Sequence, residues 1–315
     1  MKKEDLKIVF LGNPDFAVES LATLVDNGFN IVGVVTGVDK PAGRGHKLLQ
    51  SAVKQYALSK SLNILQPEKL KDPTFLEQLS ALQADLFIVI AFRMLPEAVW
   101  QMPRLGTFNL HASLLPKYRG AAPINWAVIN GDTTTGVTTF FLKHDIDTGD
   151  IIAQEAIDIL PDDNVGDVHD KLMHLGARLT LTTVNAIVDG TLSTTPQDLL
   201  LNGAEPTPAP KIFRETTCHI DWNKTALQVH NLVRGLSPYP CAWTELPMAD
   251  GTMLTAKIQQ TAITDRPATS AGNVVVEANR LFISATDHLV EIVKLQPAGK
   301  KAMPAADFLR GAHLK

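Results

Sequence analysis

The stretch Phe108-Asn109-Leu110-His111-Ala112-Ser113-Leu114-Leu115-Pro116 decides how this chain is to be read. Phe108 and Leu110 alternate with Asn109 and His111, so a strand here sets its apolar pair on one face and its polar pair on the other. Ser113, two leucines, Pro116 and a turn over 120–123 follow, which puts the polar pair at a strand end. Open α/β sheets place their binding crevices at the carboxyl ends of their strands. A second polar stretch, His144-Asp145-Ile146-Asp147-Thr148-Gly149-Asp150, is a turn between the apolar runs 136–142 and 151–159. A histidine, a primary amide and a carboxylate on neighbouring strand ends supply a proton shuttle, an oxyanion donor and a group that fixes the histidine. Taken singly, each stretch has an ordinary reading, as satisfied strand residues or as turn chemistry.

Working outward, Lys7-Ile8-Val9-Phe10-Leu11-Gly12 reads as a short buried strand stopped by Gly. Pro14 opens a helix to about Asn27, Gly28 ends it, and 29–35 forms a second buried strand. This β-α-β opening argues a doubly wound, mostly parallel, Rossmann-like α/β sheet. Its first turn, Gly12-Asn13-Pro14-Asp15, lacks the Gly-x-Gly-x-x-Gly fingerprint, which argues against a nicotinamide cofactor. Helices are expected over 51–61, 73–82 and 122–129, and a short strand over 62–65. The continuous apolar run 85–92 fits a central parallel strand, and it delivers the turn Phe92-Arg93-Met94-Leu95-Pro96 to the strand ends. Asn164 is placed to cap a long amphipathic helix to about Val188, closed by Gly190. His169 and His174 within it stand five residues apart, not the three or four that would bring them together on one face. The segment Asp39-Lys40-Pro41-Ala42-Gly43-Arg44-Gly45-His46-Lys47 is dense in cations and glycines. It reads either as a solvated loop or as a clamp on phosphates, and it lacks the ending of a nucleotide P-loop.

The length of 315 residues favours two domains. Residues 196–210, with four prolines and no periodicity, read as a linker between a catalytic domain over 1–195 and a second domain over 211–315. Beyond it come one helix over 226–236 and short strand-like runs at 242–246, 253–261, 272–278, 281–284 and 290–295. That pattern points to a small β-barrel, with an oligonucleotide-binding (OB-like) barrel as one option. The net charge of −4 is unevenly spread: residues 211–315 carry 12 Lys and Arg against 9 Asp and Glu, so the excess of acid lies in the N-terminal part. The asymmetry permits a polyanion at the C-terminal part without demanding one. Cys218 and Cys241 have no metal-site spacing and form no disulfide framework, which suits a reducing cytoplasm. Neither a signal-peptide core nor an apolar stretch of membrane-spanning length is evident.

Together, Asn109-x-His111-x-Ser113-Leu114-Leu115-Pro116 and the Asp147-Thr148-Gly149-Asp150 loop resemble the signature of the enzymes that use 10-formyltetrahydrofolate. The resemblance implies a formyltransferase fold, 10-formyltetrahydrofolate as co-substrate without a metal, and Asn109, His111 and Asp147 as catalytic residues. By the same resemblance the turn Phe92, Arg93, Met94 and Leu95, with Ser113, Leu114, Leu115, Pro116 and Asp145, lines the pteridine pocket. Family members commonly carry Tyr-Gly where Phe92-Arg93 stands here. The Pro41-Ala42-Gly43-Arg44-Gly45 segment is similar to an insertion in the branch whose acceptor is initiator methionyl-tRNA, where the matching arginine helps recognise the acceptor stem. The runs 234–244 and 295–301 resemble that branch's C-domain signatures, with Cys241 in place of a usual glycine. This implies tRNA contacts from Lys40, Arg44, His46, Lys47, Arg234, Lys300 and Lys301, in a monomer acting in the cytoplasm. The rivals are a deformylase or sugar-nucleotide formyltransferase of the same chemistry, and a non-catalytic tRNA-binding protein. The loop and barrel count against the first rival, and the intact Asn109, His111 and Asp147 against the second.

Overall fold

A computed structural model describes the 315-residue chain apart from residues 43–46, 202 and 204. It divides into two compact units, the first made of Met1–Gly120, Gly136–Ile157 and His169–Pro208, the second of Ala121–Thr135, Asp158–Val168 and Ala209–Lys315. The first unit is built on a seven-stranded sheet. Its spatial order is Ile151–Asp158, Thr134–Phe141, Thr107–His111, Leu86–Ile90, Lys7–Gly12, Asn30–Val35 and Ile64–Leu65. The last five run parallel, and Thr134–Phe141 lies antiparallel to Thr107–His111. After Ile64–Leu65 the chain returns to the other side of Lys7–Gly12 and lays down Leu86–Ile90 there. The strand order therefore reverses at Lys7–Gly12, the kind of switch point outside whose carboxyl ends open α/β sheets place their binding crevice.

The sequence pattern explains why the sheet forms. Leu86–Ile90 is buried at every position, as a parallel strand covered on both faces must be. Val9, Leu11, Phe87 and Val89 pack with Phe75 and Leu79 of the helix Pro73–Ala81 and with Val99. Phe10, Phe87, Phe108 and Phe140 are fully buried, and each such side chain stabilises the fold by roughly 1.5–3 kcal/mol relative to exposure. Helix starts are fixed by side chains, Ser51 accepting from Lys54 N and Asp72 from Thr74 N and Phe75 N, each cap contributing about 1 kcal/mol. On the strand Thr107–His111, Phe108 and Leu110 are buried while Asn109 is half-buried. Gly176, in the helix Val165–Asp189, meets the Leu110 side chain so closely that a Cβ there would lie 2.6 Å from Leu110 Cδ2. That helix covers the apolar side of the strand, leaving Asn109 and His111 to the other.

The second unit holds a helix, Ala226–Leu236, started by a complete capping box between Thr225 and Gln228. Its Ala226, Val229, Val233 and Leu236 join Ile258, Leu281, Val290, Ile292 and Leu295 in one core. The strands form an antiparallel sheet in the order Ala242–Pro247, Met253–Pro267, His288–Pro297, Arg280–Ser284 and Val274–Glu277, with Met303–Pro304 paired to His288–Pro297. Met253–Pro267 runs for 15 residues where the pattern marked nine. Register shifts at Ile258/Gln260, Gln260/Thr261 and Ile263/Pro267 interrupt its alternation, and such bulges bend a strand and hide its period.

Three further departures have physical causes. Lys40–Ala42 and Lys47–Leu49 pair antiparallel; at three residues each they are too short for an alternation to show in the sequence. Residues 196–208 group with the first unit because Gln197 is buried there, with 2% of its surface exposed. Cys241, in the place of a family glycine, keeps the left-handed backbone a glycine would take, at φ 72°. That conformation costs an L residue about 1–2 kcal/mol; the Cys241 thiol donates to the Pro238 carbonyl at 2.8 Å.

Gly136 marks the tightest approach of the strand Thr134–Phe141 to its surroundings. A Cβ there would stand 2.2 Å from the Glu155 carbonyl oxygen and 2.5 Å from Leu114 Cδ2. Gly136→Ala is expected to destabilise the chain by at least about 1–3 kcal/mol, read as a lower urea midpoint at unchanged slope.

Candidate active site

The strand Thr107–His111 ends beside the crevice, and its last residue is the centre of the site. His111 is buried, with 6% exposed, and its Nε2 lies 2.8 Å from the Tyr118 carbonyl oxygen. A carbonyl can only accept, so Nε2 carries the proton and the neutral ring is left with Nδ1 as its basic nitrogen. Nδ1 faces Asp147 Oδ2 at 3.9 Å, the two side chains being 7% and 12% exposed. Asp147 Oδ2 accepts from Gly120 N at 2.9 Å. The orienting contact on the ring is thus the Tyr118 carbonyl, a backbone group that no side-chain pattern could announce. Asp147 stands beyond hydrogen-bond reach, where it answers charge on the ring.

Asn109 lies two residues back on the same pleat face, about 7 Å along the strand. Its Oδ1 is buried and has no hydrogen-bond partner among the described residues. A buried acceptor left unpaired costs about 1–3 kcal/mol.

The loop 112–120 is braced from below. Thr138 Oγ1 donates to the Ser113 carbonyl at 2.6 Å and accepts from Leu115 N at 3.1 Å and Gln154 Nε2 at 2.8 Å. Ser113 Oγ donates to the Lys117 carbonyl at 2.7 Å. Three non-glycine residues around this rim take left-handed backbone: Ala91 (φ 48°), Tyr118 (φ 62°) and Asp147 (φ 55°). Each costs of order 1–3 kcal/mol and persists only where the surroundings over-determine it; such residues gather at functional sites. Gly149, two residues past Asp147, admits no side chain, since a Cβ would fall 1.5 Å from the Phe141 carbonyl oxygen.

The residues expected at a folate pocket divide by environment. Phe92 is half-buried, Leu95 buried, and Arg93 and Met94 exposed. Arg93 donates from Nη1 to the Glu68 carbonyl at 2.8 Å and from Nη2 to the Pro67 carbonyl at 2.5 Å. This departure from the family pattern therefore ties the turn to the segment that follows Ile64–Leu65. Ser113 and Leu115 are buried, Leu114 and Pro116 half-buried, and Asp145 exposed. Leu115 packs with Phe140 and Ile151. Among the described residues no group of three or more His, Cys, Asp or Glu side chains comes together to hold a metal.

Of the expected tRNA contacts, Arg44 and His46 lie outside the described residues, as does the Lys47 side chain. Lys40 is exposed, as are Lys300 and Lys301. Arg234 is turned into its own unit, donating to Asn231 Oδ1 at 2.8 Å and to the Asp163 carbonyl at 3.0 Å. The base of the Lys40–Leu49 hairpin is anchored: Asp39 pairs with Lys54 Nζ at 2.7 Å and accepts from Gln66 Nε2 at 2.9 Å. Gln66 also donates to the Gly37 carbonyl at 2.7 Å. The Lys54 ammonium, then the Gln66 amide, hold the Asp39 carboxyl below its usual range.

Residues 6–184 match the formyl transferase family, and residues 212–313 match the formyl transferase C-terminal domain. The chain belongs to the formyl transferase family. Among its relatives, a methionyl-tRNA formyltransferase of Bacteroides fragilis is 57% identical, over 100% of this chain and 97% of that one. Another, of Parabacteroides distasonis, is 58% identical over 99% and 97%. Solved structures share the fold at lower identity. The N-formyltransferase from Helicobacter canadensis, in complex with folinic acid and dTDP-3-aminofucose, is 21% identical with a TM-score of 0.68, over 91% of this chain and 98% of that one. HypX from Aquifex aeolicus in complex with tetrahydrofolic acid is 18% identical with a TM-score of 0.63, over 96% of this chain and 46% of that one.

The Asp39 contacts carry a pH signature. A carboxyl whose folded pKa is depressed adds stability that is complete above the unfolded value and is lost as pH falls through the folded one. The stability gap between the chain and Asp39→Asn is therefore expected to stay constant above about pH 4 and to close below it, as read from urea unfolding between neutral and acid pH.

Proposed function

We infer that this chain transfers the formyl group of 10-formyltetrahydrofolate to the amino group of methionine on initiator methionyl-tRNA. The observation that carries the reading is similarity along the whole chain, both domains included, to methionyl-tRNA formyltransferases. The site supplies the chemistry. Attack of a neutral amine on a formyl carbon makes a tetrahedral oxyanion and a positive nitrogen; the nitrogen must then lose a proton as the folate nitrogen gains one. Asn109 donates from its amide to the oxyanion, a role whose loss typically costs about 2.7–4 kcal/mol of barrier. Its unpaired Oδ1 is an acceptor available to an amine. His111, protonated at Nε2 against Tyr118, takes the proton at Nδ1 and returns it to the leaving nitrogen. Asp147 stabilises the imidazolium that forms in between. The transfer is direct. Cys218 and Cys241, the free thiols, are buried, and burial pushes both up from the usual thiol value, which favours the un-nucleophilic thiol form.

We assign folate contact to the turn 92–95, to 113–116 and to Asp145. We read the second unit's sheet as an OB-like barrel that meets tRNA through Lys300 and Lys301. Lys40, Arg44, His46 and Lys47 are assigned to the acceptor stem, and Arg234 to the tRNA surface of the second unit, which it braces. The chain acts as a monomer in the cytoplasm.

Asn109→Ala and His111→Ala are each expected to lower single-turnover formylation of initiator methionyl-tRNA at least about tenfold with folding intact; unchanged rates in both would remove them from the mechanism. Arg44→Ala is expected to raise KM for the tRNA while leaving KM for 10-formyltetrahydrofolate in place, and movement of the folate KM alone would return the hairpin to the folate pocket. In the same assay, transfer to an amino-sugar nucleotide, or formate release without acceptor, would overturn the acceptor assignment.

A further inference from the structure

Gln197 stands where composition indicates a linker, yet 2% of it is exposed and every hydrogen-bonding position on its amide is filled. Its Nε2 donates to the Asp147 carbonyl at 2.9 Å and to the Gly149 carbonyl at 2.8 Å. Its Oε1 accepts from Arg119 Nε at 3.0 Å and Arg119 Nη2 at 2.8 Å. Two donors and two lone pairs are the amide's full capacity. The guanidinium also fixes which way round the amide sits, because an inverted amide would press N–H groups against the Arg119 fork. The two Nε2 bonds grip the turn on both sides of Thr148, with Asp147 in left-handed backbone and Gly149 unable to accept a side chain.

Arg119 sits between the two residues that touch the other reacting groups. Tyr118 offers its carbonyl to His111 Nε2, and Gly120 offers its N–H to Asp147 Oδ2. Tyr118 N is in turn bound to the Thr207 carbonyl at 2.6 Å, ten residues beyond Gln197. One three-residue segment thus reads the histidine, the carboxylate and, through Arg119, the amide that grips the carboxylate's own backbone.

We propose that Gln197, held by Arg119, is a positioning residue that keeps Asp147 in its left-handed conformation facing His111, so that transfer of the formyl group depends on an amide that touches no substrate. The proposal rests on the reading of Asp147 as a member of the catalytic set. Misplacing a catalytic group by about 1 Å from a distance costs on the order of a hundredfold in rate, whereas Gln197 itself contacts none of the residues assigned to folate or tRNA.

The test is a double-mutant cycle on the full chain, with initiator methionyl-tRNA and 10-formyltetrahydrofolate as substrates. Gln197→Glu keeps an acceptor for Arg119 and deletes both N–H donors to the turn. It is expected to lower kcat about tenfold to a hundredfold with both KM values within about threefold. Placed on Asp147→Asn, where the carboxylate no longer acts, the same substitution is expected to cost less than about threefold. Arg119→Lys, which loses the fork but keeps the charge, should repeat the pattern more weakly; it carries the cycle alone if Gln197→Glu does not fold. Equal losses in the two backgrounds, or a loss that only tracks the unfolded fraction in a thermal melt, would overturn the proposal while leaving Asp147 in the mechanism. Full turnover by Asp147→Asn itself would remove Asp147 from the mechanism and the proposal with it.

Discussion

The hydrogen bond between His111 Nε2 and the Tyr118 carbonyl governs the chemistry available to the rest of the site. A histidine in a strand end has two nitrogens and no inherent preference between them. By accepting a hydrogen bond from Nε2–H, a backbone carbonyl keeps that proton in place and leaves the other nitrogen as a base of fixed direction. Asp147 then matters through its charge, because at 3.9 Å it cannot hold the proton that Nδ1 lacks. It lowers the energy of the ring only once that ring has gained a proton. A carboxylate in hydrogen-bond contact would instead compete for the neutral ring's orientation. The division of labour between a carbonyl that orients and a carboxylate that answers charge follows from which atoms lie within reach.

That arrangement needs two residues in backbone conformations they would not choose. Tyr118 and Asp147 both have positive φ, and neither is a residue type for which that is free. Their neighbours make the alternatives worse. Tyr118 is pinned through N–H and carbonyl alike, Asp147 through its carbonyl and carboxylate, and Gly149 is walled in by Phe141. The strain is local and the bonds that hold it come from segments far apart in sequence, so the site is rigid only when the whole first unit is folded. This is the physical content of preorganisation: the reorganisation is completed on folding and not at the moment of reaction.

How much of this was legible in the sequence divides along the same line. Elements whose evidence is local were readable, such as the buried run ending at Ile90, the helix Ala226–Leu236 and the Pro73 helix start, because period and capping chemistry are written in consecutive side chains. Asn109, His111 and Asp147 were singled out by the resemblance of their two stretches to a family signature, since period and turn chemistry alone leave each an ordinary reading. What could not be read were interactions through backbone atoms or across long intervals. The Tyr118 carbonyl, the Gly120 N–H and the Thr138 hydroxyl under the loop belong to residue types that signal nothing by themselves. Gln197 was hidden most completely, since a polar residue between prolines has the composition of a linker and only its four bonds reveal a buried site. Arg93 and Cys241, which looked like faults against a family pattern, have partners on the backbone: the Pro67 and Glu68 carbonyls for one, the Pro238 carbonyl for the other.

Asn109 sets the boundary between what the protein completes for itself and what it leaves to its substrates. The groups around it are satisfied: Thr138 uses its hydroxyl three ways, Gln154 bridges Thr138 and the Leu115 carbonyl, and Gln197 has no capacity to spare. Against that background the unpaired Asn109 Oδ1 is a local cost retained in a region that elsewhere spends side chains on removing such costs. A Leu at the same position would fit a strand and would carry no penalty. On the role proposed for Asn109, the amine that attacks the formyl carbon carries the N–H that pairs with this oxygen. On that proposed role the pairing forms as the reactants are aligned, which is where a transferase gains most from a binding interaction.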